Sequence, residues 1–383
     1  MLGKATCRWR WLPPPLRVDP QPPSGGSPVA QVPEVGPEVG EEPPNPLLIS
    51  GQEWRDLGNG LAPDQRHLAG FTDYQSKVHV EKVCVDPSDF SIQDAFELSF
   101  PVDFFRDMNR WTNQALHAYM PRFSFHEFLK CFGILFLKCL SNTDDMKDLW
   151  KTDDDDILPA MNVGTRFGIG KTRFESFRHF LRMNAPYDGD DRWQPVRGLV
   201  EAFNRHRLAM ISPGSHLIVD ESMSQWYCRD DKTPIMKETG HPHVTHIDRK
   251  PVDMGAEIKN IADEDIKVIM RIEIQEAKEA MRVKEFMDKH DHHTAVVLRL
   301  SKPWFNSRRV ICGDSAFASL KTVKALLEEV LYFIGVVKQC HAKFPVHYLK
   351  FRCWNGESAR GDTRTVETIV CARDIDYKVY GFG

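Results

Sequence analysis

The most constraining feature of this 383-residue chain is the order of its segments after Pro213-Gly214. HLIVD (216–220), MGAEIKNIA (254–262) and VIMRIEIQ (268–275) are short runs rich in β-branched residues, which favour strands. EAKEAMRVKEFMDKH (276–290) reads as a helix, and RRVICGD (308–314) as a further strand. LKTVKALLEEV (320–330) has apolar residues at helical spacing, and LYFIGVVK (331–338) returns to a strand pattern. Two of these strands, the first and the fourth, are expected to end on an acid, Asp220 and Asp314.

The order β-β-β-α-β-α-β is that of a ribonuclease-H-like fold, an α/β mixed sheet with flanking helices. In that fold the first and fourth strands are neighbours, so acids closing both would lie together. Paired carboxylates attract hard divalent cations such as Mg²⁺. Two such ions can activate a water or 3′-hydroxyl and stabilise the leaving oxygen of a phosphodiester. Acids at strand ends also serve as turn formers or helix caps in any α/β protein.

Residues 1–46 hold 12 of the 25 prolines and a PEVGPEVG duplication, a composition that reads as a disordered tail. Residues 47–95 read as a partly ordered linker. From 96 to 212 the pattern is helical. A Ser124–Glu127 capping box opens one helix; others are expected over 172–182 and 196–210. The core is expected over 213–345. In 346–383, TVETIVCA and YKVYGF suggest a hairpin at the start of a β-rich insertion.

The net charge of −4 supplies no overall pull toward nucleic acid, so any DNA contact must be local. The nine cysteines include no C-x-x-C pair, which removes zinc-ribbon and thioredoxin-type readings and suggests reduced thiols. No apolar run reaches the roughly 20 residues that span a bilayer. The N-terminus runs into prolines rather than an apolar segment, unlike a secretory signal.

HLIVDESM (216–223) resembles the region of the first catalytic aspartate in piggyBac-type transposases. Lys250, Pro251 and Gly255 in RKPVDMGAEIK resemble the family's Lys-Pro-x-x-x-Gly segment. Asp314, Phe317, Ser319, Gly335 and Lys338 match its second acidic block. With weaker similarity around Trp150, Arg166–Phe167 and Phe174, the resemblance covers about 96 to 345. It implies DNA transposition by three aspartates with Mg²⁺, transposon-end DNA as partner, a possible homodimer and a nuclear location. Asp220 and Asp314 would be catalytic metal ligands; Arg249, Lys250, Lys338, Lys171 and Arg173 are candidate DNA contacts.

The family's third Asp lies on a helix beyond a β-rich insertion, followed by a cysteine-rich tail. Only Asp362, Asp374 and Asp376 follow Asp314 here, and the last two flank the expected hairpin turn. The expectation is a transposase-derived chain, truncated or decayed, whose enzymatic activity is open. The rival is a non-catalytic DNA-binding or protein-interaction remnant; an unrelated metal-dependent hydrolase ranks below both.

Other signals are weaker. The run ending Gly170-Lys171-Thr172 mimics a phosphate-binding loop, but the first glycine should be at position 165, which is Thr165. His241, His243 and His246, and His290, His292 and His293, read as exposed loop histidines rather than a transition-metal site. Asp153–Asp156 reads as a solvated turn, and Glu221 as pointing away from Asp220 if the strand continues.

Overall fold

The computed structural model describes residues 8–9, 46–59, 70–141, 145–152, 161–187, 189–227, 243–247, 254–338, 341–349 and 364–382. They fall into two compact units: one of residues 1–13, 73–303 and 309–312, the other of 14–72, 304–308 and 313–383.

The first unit opens with a two-residue strand, β1 (Arg8–Trp9), inside the segment expected to be a tail; it pairs with Trp226 and Tyr227. Its helical part comprises α1 (Ile92–Ser99), α2 (Val102–Ala115), α3 (Phe125–Leu140), α4 (Val163–Phe167), α5 (Lys171–Phe180) and α6 (Gln194–Met210). Their shared core is aromatic. Phe128 and Phe177 are fully buried and meet edge to face at 5.4 Å, and Phe105 meets Phe132 at 4.9 Å. Such pairs add about 1 kcal/mol each beyond area burial.

The full capping box is at Ser91 and Asp94, where each side chain accepts from the other's backbone N–H. At α3 only half the expected box forms: Ser124 accepts from the Glu127 N–H, while Glu127 pairs with Arg173. The glycine-rich mimic of a phosphate loop is two helix boundaries. Gly168 closes α4 in the left-handed region at φ 66°, and extended Gly170 opens α5.

The sheet of this unit contains β6 (His216–Tyr227), β7 (Thr245–His246), β8 (Met254–Asp263), β9 (Ile269–Ile274) and the first residues of β10 (Val310–Gly313). β6 lies between β10 and β8, and β7 and β9 also pair with β8. Asn204 of α6 donates to the Ile272 carbonyl at 2.9 Å and accepts from its N–H at 2.8 Å, standing in for a missing strand neighbour.

The segment around residue 276 departs from expectation. Only α7 (Lys278–Arg282) forms there, and the main helix is α8 (His292–Ser301), buried from Thr294 onward. An all-round apolar helix lacks the periodic signal of a half-exposed one. The expected linker is also largely structured: β4 (Lys77–Val78) pairs with β5 (Ile211–Ser212), and α1 starts at Ile92.

The second unit uses more of that linker. β2 (Leu47–Ile49) and β3 (Gln52–Asn59) join the C-terminal hairpin, β12 (Arg364–Ala372) and β13 (Ile375–Phe382), in the order β13-β12-β3-β2. Trp54 anchors this sheet, fully buried, with Nε1 donating to the Lys343 carbonyl at 3.0 Å. The hairpin turn is Arg373-Asp374, both at positive φ, which matches the strand twist. The unit also contains α9 (Leu320–Glu328), packed on β12, and β11 (Tyr332–Gly335), which ends three residues before the expected strand does. No helix among the described residues is long and apolar enough to cross a membrane.

Candidate functional site

Asp220 does not end a strand. β6 runs on to Tyr227, in register with β8 as far as Gln225 opposite Gly255. Gly255 permits that approach, because a Cβ there would stand 2.2 Å from the Ser224 carbonyl oxygen. Arg309 fixes the start of the strand, donating to the Gly214 and Pro213 carbonyls at 2.9 and 3.0 Å while lying over the Tyr74 ring.

Along β6, Leu217 and Val219 are buried and Asp220 is exposed. Its Oδ1 accepts from the Glu221 N–H at 2.7 Å. Its partner across the strand pair is Asn260, and Ser222 follows on the same face. Glu221 takes the opposite face, opposite Lys259, as strand alternation requires.

Asp314 follows directly on β10, the neighbour of β6 in strand order. It is half-buried, and its Oδ1 accepts from the Ala316 N–H at 2.8 Å. Its carbonyl accepts from Phe317 and Ala318, so the chain turns at once toward α9. Phe317 is buried, and Ser319 caps α9 by accepting from the Thr322 N–H at 3.0 Å. Gly335 has a packing reason too: a Cβ would sit 2.9 Å from the Gly313 carbonyl oxygen. The residues around Asp314 thus hold its carboxylate on a short, defined turn.

A family model described as Transposase IS4 matches residues 91–372. The chain belongs to the Transposase IS4 family. Among solved structures it is similar to a chain of the cryo-EM structure of the piggyBac transposase synaptic complex with hairpin DNA. The identity is 21%, the TM-score 0.53, and the match covers 74% of this chain and 60% of that one. The fold is therefore of the piggyBac type, and this chain spans about three fifths of the piggyBac chain's length. No curated protein matches it.

In this transposase-family chain the candidate basic contacts have different fates. Arg249 and Lys250 lie outside the described residues, as do His241, Asp153–Asp156 and Asp362. Lys338 is exposed beyond β11, and Lys171 is half-buried at the start of α5. Arg173 is engaged within the protein. It grips Glu127 through two bonds at 2.6 and 2.9 Å, donates to the Pro121 and Arg122 carbonyls, and lies 3.5 Å over the Phe123 ring. The sequence places this arginine on an amphipathic helix but says nothing of its partner 46 residues upstream.

The histidines are also redistributed. His292 is the first residue of α8 and half-buried rather than an exposed loop residue. Burial, with the neighbouring His293 and Lys259, pushes its ring below the usual histidine range. Among the described residues no group of three His, Cys, Asp or Glu is placed to hold a metal ion. Two residues that matter went unread in the sequence. Asp263 is buried and accepts from Ser76 Oγ and the Gly214 and Ile266 N–H groups. Asn260, beside Asp220, carries no motif signal.

Proposed function

We propose that this chain is a piggyBac-like, transposase-derived DNA-binding protein that retains two acids of a Mg²⁺-dependent strand-cleavage and transfer site. The observation that carries this reading is the family match over residues 91–372, which includes both acids: Asp220, exposed on β6 in the first unit, and Asp314, on a short turn in the second. The donor set fits a hard cation. Asp220 and Asp314 each accept one backbone N–H, and their second oxygens accept none among the described residues. Mg²⁺ is commonly bound by one or two carboxylates plus waters and phosphates. Bound there, the ion would activate a hydroxyl and neutralise charge on the leaving phosphodiester oxygen.

Two acids hold a divalent ion less firmly than three, because one ligand is lost. Among the described residues after Asp314, Asp374 is in the hairpin turn and Asp376 in β13, so neither stands on a helix. We therefore expect the 383-residue polypeptide to bind DNA and divalent metal without cutting. Arg249, Lys250, Lys338 and Lys171 are the proposed phosphate contacts, in a nuclear protein acting as a homodimer.

The test incubates the polypeptide with hairpin-ended duplex DNA in Mg²⁺ at several salt concentrations. Binding that weakens with salt and no strand cleavage is expected. Cleavage that disappears in Asp314→Asn would overturn the incomplete-site reading. The rival remnant reading, with no metal at all, predicts no Mn²⁺ binding by the wild-type chain.

A further inference from the structure

We infer that Asn260 is an oxygen donor beside Asp220, a neutral ligand to the divalent cation that site takes. The inference rests on the reading that Asp220 holds such an ion. Asp220 and Asn260 are partners across β6 and β8, so their side chains stand on one face. Directly opposite residues have Cβ atoms about 5 Å apart, within joint reach of a single ion.

The rest of that face of β8 is Ala256, Ile258 and Ala262, and Asn260's partner on β9 is Ile272. The Asn260 residue is only 8% exposed among these apolar groups, but its Oδ1 is not among the buried orphaned polar atoms and so is open to an incoming ligand. Nδ2 makes one long contact, donating to Ser222 Oγ at 3.4 Å. The nitrogen faces Ser222, and the carbonyl oxygen has no protein partner among the described residues. Asp220, with Oδ1 held by the Glu221 N–H, also keeps one oxygen available.

Hard divalent cations take oxygen ligands, and amide carbonyls can serve beside carboxylates as weaker, neutral donors. A neutral donor adds ligation without the repulsion a further carboxylate would bring. Ser222 is then a positioning residue, acting through the Asn260 amide.

The test is Mn²⁺ titration of the full chain, read by electron paramagnetic resonance of the free ion, on wild type and four variants. Asp220→Asn is expected to abolish binding. Asn260→Ala should weaken it roughly tenfold, as loss of a supporting donor does, with a smaller loss for Ser222→Ala. Asn260→Asp preserves the side chain's shape and decides the matter should the alanine variant fail to fold; tighter Mn²⁺ binding is expected. Asp220→Asn losing the metal while both Asn260 variants bind like wild type overturns this inference alone. Unchanged binding in Asp220→Asn, or no binding by wild type, overturns the underlying metal reading as well.

Discussion

Arg197 of α6 reaches Glu276, just beyond β9, through two hydrogen bonds at 3.1 and 2.5 Å, and so ties the helical part of the first unit to its sheet. The same guanidinium also bonds Asp191, and Glu276 pairs with Lys284 at 2.9 Å. Lys284 in turn meets Glu273, which is gripped by Arg299. Glu276 is buried, so its charge depends on these partners.

Arg197→Ala should cost about 2 kcal/mol in urea unfolding, less than a fully buried pair because Lys284 still serves Glu276. Acid should have a related effect. Burial pushes the Glu276 carboxyl up, but the bonds from Arg197 and Lys284 outweigh it and hold it below its ordinary 4.5. The Arg197 hydrogen bond likewise lowers Asp191 from 3.8. Groups depressed in the folded state contribute stability above their ordinary values and lose it as pH falls through the folded ones. Wild type should therefore lose stability below about pH 4.5 more steeply than Arg197→Ala; parallel curves would refute the coupling.

Arg173 separates a structural arginine from a DNA contact. Arg173→Ala is expected to lower stability by about 3 kcal/mol, because the charged Glu127 loses both bonds. Arg173→Lys should recover little, since an ammonium cannot reproduce the two-pronged geometry. Neither variant should reduce the salt dependence of DNA binding, whereas removal of a phosphate contact lowers the slope by about one unit.

Val330 closes α9 in the left-handed region at φ 56°, where a β-branched residue is strained. The Leu331 N–H bonds the Leu326 carbonyl and the Val330 N–H that of Leu327, a helix ending that usually carries glycine. Val330→Gly should stabilise the chain by about 1 kcal/mol. A lower midpoint in thermal unfolding would show that its side-chain packing outweighs the strain.

Gly255 makes the opposite case. Gly255→Ala would drive a methyl into the Ser224 backbone and should cost about 3 kcal/mol. The loss should appear in hydrogen exchange as faster opening of β6 around Asp220; unchanged protection would refute the link.

Much of the fold was legible because it rests on local signals. The strand and helix order from 216 to 335, the helical stretch before it and the C-terminal hairpin all carry periodicity or turn chemistry within a few residues. α8 was missed because burial on every side removes that periodicity. The β2–β3 hairpin was read as linker because its stability comes from pairing with β12: Thr368 bonds the Glu53 carbonyl across 315 positions. Leu48 is exposed and β2 has only three residues, so no local pattern announces the hairpin.

The same division runs through the site. The sequence by itself determined the family and put forward Asp220 and Asp314 as candidate acids beside predicted strands, since each is carried by a contiguous motif. Only the tertiary structure decided that Asp220 stands mid-strand opposite Asn260, that Arg173 serves Glu127, and that His292 opens a buried helix. Those facts depend on register and on partners dozens of residues away. A chain's local pattern says which face a side chain takes; only the packed partner says what it meets there.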